Sequence, residues 1–136
     1  MPVNTKYELK PGLATREAFG KALVDLGRSN PNIVVLDADL SKSTMTIGFQ
    51  KEFPDRFIEC GIAEANMAGI AAGLASAGKI PFASSFSAFM MTKAYEQLRV
   101  TAAFPKVNVK IVGTHSGISI GAVSYTHLTL PTILRV

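Results

Sequence analysis

Between Glu59 and Lys79 the chain carries a single charged side chain, Glu64. Its sequence neighbours are mostly alanine and glycine, which can neither pair with a carboxylate nor hydrate it. A carboxyl group held partly out of water in this way is a candidate donor or acceptor of a proton. A plainer account stands beside it: an acid in the first turn of a helix stabilises the helix dipole. Three other stretches also have the residue types for chemistry. Phe86 and Phe89 lie three apart in Ser84-Ser85-Phe86-Ser87-Ala88-Phe89, where they could form an aromatic wall or simply fill a core. Asp37 to Thr44 is polar and rich in hydroxyls, and reads as a binding loop or as a capped turn opened by Asp39 or Ser41. His115, in Gly113-Thr114-His115-Ser116-Gly117, is a lone histidine, which is more often a hydrogen-bonded structural residue than a catalyst.

These four stretches need elements to hold them. Phe19, Ala22, Leu23 and Leu26 recur at helical spacing after Thr15, a possible cap, and Gly27 and Pro31 end that helix. Ile33-Val34-Val35-Leu36 reads as a buried strand closing on Asp37. A short helix to about Phe53 and a turn at Pro54-Asp55 lead to a second strand, Phe57 to Cys60. Ala63 to Ala77 is a helix small on nearly every side, so it is expected to be buried, with Gly69 and Gly73 letting another backbone approach. Ile80 to Ser85 is a third strand, Ser87 to about Phe104 a long helix, and Val107 to Val112 a fourth strand. The alternation predicts an α/β fold, a mostly parallel sheet flanked by helices on both faces. In such sheets ligands gather beyond the carboxyl ends of the strands, where all four stretches fall.

The bulk properties narrow the function. With 136 residues, 48% apolar and 18% charged, the chain suits one globular domain. No apolar run is long enough to span a bilayer, and Met1 to Lys10 lacks an apolar signal core, so no membrane association is expected. The single cysteine, Cys60, fits a reducing cytoplasm. A net charge of +4 is spread without a basic cluster, so no nucleic-acid binding is expected. There is no glycine-rich phosphate loop, no Cys or His pair at metal spacing and no nucleophile elbow. No metal site is assigned to this chain.

Taken in order, the motifs resemble the pyrimidine-binding domain of transketolase, over about Leu13 to Gly121. The most specific is Asp55-Arg56-Phe57-Ile58-Glu59-Cys60-Gly61-Ile62-Ala63-Glu64-Ala65-Asn66-Met67. It is followed at family spacing by Pro81 to Phe89, by Ala94-Tyr95-Glu96-Gln97-Leu98-Arg99 and by Gly113 to Gly121. The resemblance implies transfer of a two-carbon ketol unit between sugar phosphates, with thiamine diphosphate as cofactor. Glu64 falls on the acid that bonds the aminopyrimidine ring nitrogen and favours its imino form, which can take a proton from the thiazolium carbon. Phe86 and Phe89 match the pyrimidine pocket, and Asp39 an acid of the cofactor-side loop. Arg16 and Ser43 match substrate-phosphate contacts, and His115 a histidine of the substrate channel with a catalytic role. Deoxyxylulose-phosphate synthase and the β subunit of 2-oxoacid dehydrogenases share this domain, but Ile62 to Ala68 favours transketolase. A non-catalytic α/β interaction module is the alternative of a different class.

The resemblance also implies partners. The chain reads as the C-terminal subunit of a split transketolase, assembled as a homodimer or heterotetramer. An N-terminal subunit would hold the diphosphate and its magnesium, so this chain alone is expected to be inactive. Residues 1–14 read as a lead-in and 15–121 as the domain. From Ala122 onward the pattern departs: the family's acid and second histidine are missing, and His127 is out of register to replace the latter. Residues 122–136 are therefore expected to be non-native, the alternative being a divergent final strand.

Overall fold

A computed structural model describes residues 12–117. The expected non-native tail, most of the lead-in and the stretch Ile118 to Gly121 lie outside them.

The apolar run at Ile33 forms strand β1 (Ile33–Asp37), all five residues of which are buried. It is buried because it has a parallel partner on each side and helices on both faces. β2 (Phe57–Glu59) pairs with it on one side, Val35 opposite Phe57. β3 (Ile80–Phe86) pairs with it on the other, running from Ile33 opposite Ile80 to Asp37 opposite Ser84. β4 (Lys110–Thr114) adds to β3, giving the order β2-β1-β3-β4, parallel throughout. Pairing in β4 begins three residues later than the apolar pattern suggested, because its register is set by β3, with Phe82 opposite Lys110 and Phe86 opposite Thr114.

Alternate residues of β1 feed two cores. Ile33 and Val35 pack with Leu23 and Phe49, from α1 (Thr15–Ser29) and α3 (Ile47–Glu52). Val34 and Leu36 pack on the opposite face with Met67, Ala68, Ala71 and Met90, from α4 (Glu64–Ser76) and α5 (Ser87–Lys93). Helices therefore cover both faces, as the alternation required. A one-turn helix, α2 (Ser41–Thr44), follows β1, and a short α6 (Tyr95–Gln97) runs into a π-helical turn at Leu98–Ala103.

Several local expectations are corrected. Ala14, not Thr15, is the N-cap of α1, and no side chain caps it. Gly27 does not stop this helix, which runs to Ser29. The buried face of α1 is Gly20, Leu23 and Gly27, while Leu26 is 42% exposed. The two glycines decide that rotation. A methyl group at Gly20 would lie 2.6 Å from the Met45 carbonyl oxygen, and one at Gly27 would lie 2.5 Å from the Phe49 ring. The helix thus approaches the Met45 backbone closely at Gly20 and the Phe49 and Phe53 rings at Gly27, with Leu23 buried between the two. The long helix after Ser87 is broken near Ala94. Thr92 and Thr101 turn their hydroxyls back onto the Ala88 and Gln97 carbonyls, a bond that bends helices. In α4 one face is buried, but Gly69 and Gly73 point outward, and a methyl group on either would meet no described atom within 4 Å.

The sheet order reverses between β1 and β3: the chain goes from β1 to one neighbour, β2, and returns to the other side. That switch point opens a crevice at the carboxyl ends of the strands. Asp37, Gly61, Phe86 and His115 end or follow the four strands on this rim.

Candidate functional site

Asp37 organises the loop on one side of the rim. Its buried carboxylate accepts hydrogen bonds from the Leu40 N–H at 2.7 Å, the Thr44 hydroxyl at 2.7 Å and the Thr46 hydroxyl at 2.8 Å. Glu59 adds a second tie, accepting from the Asp39 N–H at 2.8 Å and the Gly61 N–H at 3.0 Å. Burial holds the Asp37 pKa above its ordinary value, while bonds from Thr44, Leu40 and Thr46 oppose the rise. For a carboxyl raised on folding, the proton binds the native state more tightly than the unfolded chain. Stability from this group is therefore greatest below the ordinary value of 3.8 and falls as pH rises through the raised folded value. Asp37→Asn should remove that slope, since the threonine hydroxyls can reverse roles toward an amide. Asp37→Ala should cost on the order of 2–3 kcal/mol by stranding the three donors. Urea unfolding over a pH series checks both, and an unchanged slope in Asp37→Asn would rule the assignment out.

The loop so held carries Ser43 toward α1. Arg16 donates to the Ser43 carbonyl at 3.2 Å, and the same nitrogen lies 3.4 Å from Nε2 of His115. Ser43 thus meets Arg16 through its backbone carbonyl. His115 stands at φ +54° after β4, with Nδ1 2.8 Å from the Thr114 hydroxyl. Burial first, and the Arg16 charge second, lower its pKa from the usual 6.5, so the ring is neutral at physiological pH. A cleft of about 520 Å³ opens here, lined by Arg16, Phe19, Val112, Thr114, His115 and Ser116 among others.

From His115 a chain of rings leads inward. Its centroid is 4.3 Å from that of Phe86, which stacks on Phe89 at 5.6 Å with 24° between the planes. The two phenylalanines form a wall at the β3–α5 junction. Beyond them is Glu64, 1% exposed at the first residue of α4. Lys93, the last residue of α5, donates to Glu64 Oε1 at 3.3 Å and lies 4.3 Å from the Phe89 ring centre. Glu64 Oε2 is 3.2 Å from the same ammonium, yet buried and without a hydrogen bond among the described residues. The hydroxyls of Ser84 and Ser85, at the end of β3, are likewise buried and unsatisfied among the described residues.

Six of the seven residues expected from the sequence thus fall on one contact path: Glu64, Phe89, Phe86, His115, Arg16 and the Ser43 backbone. Asp39 stands apart. It is exposed at φ +59°, and among the described residues only its backbone N–H is engaged, with Glu59. Sequence reading missed Lys93, which completes the path between Glu64 and Phe89. A lysine among Met, Thr and Ala on a helix gives no signal. It also missed Asp37 as a hub, although an acid closing a fully apolar strand was a usable clue. Among the described residues no three His, Cys, Asp or Glu side chains come together as a metal site. Burial and the nearby Glu59 and Asp37 carboxylates push the Cys60 thiol up to about 11, so it is not a reactive thiolate.

The family model for the transketolase pyrimidine-binding domain matches residues 11–133. The chain belongs to this family. It is 55% identical over 112 residues to a putative transketolase C-terminal section of Methanocaldococcus jannaschii, covering 82% of this chain and 35% of that protein. It is 46% identical over 122 residues to human transketolase, covering 89% of this chain and 19% of that protein. Among solved structures it resembles a split-gene transketolase described as an inactive β4 tetramer, with 62% identity and a TM-score of 0.70, over 76% of this chain and 34% of that one. Campylobacter jejuni transketolase superposes with a TM-score of 0.73 at 30% identity, over 80% of this chain and 17% of that one. The domain therefore spans about a third or less of these relatives. No helix among the described residues is long and apolar enough to cross a membrane.

Proposed function

We propose that this domain grips the aminopyrimidine of thiamine diphosphate and so forms part of a transferase that moves two-carbon ketol units between sugar phosphates. The observation that carries the reading is Glu64: a buried carboxylate with a spare acceptor oxygen among the described residues, joined through Lys93 to a pair of stacked phenylalanines. A flat, nitrogen-bearing ring fits such a place. The phenylalanines offer its faces apolar contact, and Oε2 offers its ring nitrogen a partner. When bound, thiamine diphosphate supplies an acidic thiazolium carbon that takes up the two-carbon unit. Glu64 then holds the proton shared with the ring nitrogen, and Phe86 and Phe89 keep water from it.

The cleft at the other end of the path suits the substrate. Arg16 presents a guanidinium whose planar fork matches a phosphate, and neutral His115 can exchange hydrogen bonds with a sugar hydroxyl. Ser43 contributes through the placement of Arg16. Asp39, exposed on the loop rim, is assigned to the cofactor side by resemblance alone. The diphosphate and magnesium belong to an N-terminal section on a partner chain, a reading supported by the names of the C-terminal-section and split-gene relatives. We assign the assembly to the cytoplasm on the lone, unreactive thiol of Cys60.

The test is reconstitution. The chain, extended by its natural C-terminus, is combined with the N-terminal section from the same genome and with thiamine diphosphate and magnesium, and cofactor binding is followed by calorimetry. Binding and ketol transfer should appear only when both chains are present. A stable two-chain complex that binds no cofactor would overturn the reading.

A further inference from the structure

Lys93 has no place in the function as derived so far. Its ammonium lies within 3.3 Å of both Glu64 oxygens and 4.3 Å from the Phe89 ring centre. A ring held by Phe89 and Glu64 needs that same wedge, and the two cannot occupy it together. Lys93 is 43% exposed, whereas Glu64 is 1% exposed, so only the lysine can leave for water without unfolding anything. One of its two contacts is short of a proper hydrogen bond, which leaves Oε2 free for another donor.

Resting on the proposed role of Glu64, we propose that Lys93 is a displaceable counter-ion. In the free domain it occupies the aminopyrimidine's place and neutralises the buried carboxylate; on binding it swings out to solvent. A buried carboxylate without a partner is costly, so the lysine keeps the empty site intact. The same ion pair must break before the ligand enters, so it also weakens binding. Nothing covalent changes; one partner of Glu64 is exchanged for another.

The experiment measures thiamine diphosphate affinity by calorimetry in the two-chain complex, for Lys93→Met with Glu64 intact and again with Glu64→Gln. Breaking a half-exposed ion pair should be worth about tenfold, so Lys93→Met should bind about tenfold more tightly than wild type. With Glu64→Gln in place the lysine has no carboxylate to hold, and Lys93→Met should then change nothing. Lys93→Arg, which keeps the charge, should bind no more tightly than wild type. Unchanged or weaker binding in Lys93→Met overturns the proposal, as does an equal gain in both backgrounds. If Glu64→Gln by itself leaves affinity at the wild-type level, the reading of Glu64 as the gripping acid fails instead, whatever Lys93→Met does.

Discussion

Glu64→Gln in the reconstituted transferase should lower kcat/KM by roughly a thousandfold, the scale of a positioned proton-transfer group. Glutamine has the shape of glutamate and fits the same buried place at the start of α4. What it lacks is an ionisable oxygen. It cannot take up and return the proton shared with a ring nitrogen, and its amide can satisfy only one fixed pattern of donor and acceptor. The fold should survive, because the lost ion pair involves a lysine that is half in water and can be hydrated instead. Steady-state kinetics together with urea unfolding separate the two effects. A variant that is folded and fully active would show that Glu64 is only a helix-dipole acid, the plainer account of its position.

The second large effect concerns stability. Phe49→Ala should cost about 3–5 kcal/mol, much of the total for a domain of this size. Phe49 is fully buried between α1 and the sheet, in one core with Leu23, Ile33 and Val35. Its ring meets Phe53 at a centroid distance of 4.9 Å, lies 5.5 Å below the Arg56 guanidinium and fits against Gly27. Arg56 is itself fastened to the Gly27 and Asn30 carbonyls at 2.9 and 3.1 Å, so the surroundings cannot collapse into the cavity. Chemical unfolding should show the loss as a lower midpoint with an unchanged slope. A cost below about 1 kcal/mol would mean that α3 can repack, contrary to this picture.

The two effects read different layers of the sequence. The core was legible because apolar periodicity is a local property. Ile33 to Leu36 announces a strand buried on both faces, and the run of elements between Thr15 and Thr114 announces a parallel sheet with helices on either side. Of the candidate site, the segments were legible because a parallel sheet gathers its strand ends on one rim. Glu64 stood out as a charge without company, and Phe86, Phe89 and His115 as residues at the ends of strands. The exact face of α1, the break in the helix after Lys93 and the start of β4 were not legible. The first and last are settled by what lies opposite, the Met45 loop against Gly20 and β3 beside β4, and the break accompanies the Thr92 and Thr101 hydroxyls bonding back to their own helix, which residue type alone does not announce.

By itself, then, the sequence determined the order and class of the elements and the end of the sheet at which chemistry gathers. Only the tertiary structure decided who meets whom there. Arg16 and His115 are 99 residues apart yet touch, Lys93 reaches Glu64 across 29 residues, and Arg16 reaches the Ser43 carbonyl across 27. Such pairings depend on strand register, helix rotation and side-chain reach, which arise from the packing of the whole chain. A local pattern of residue types encodes none of them.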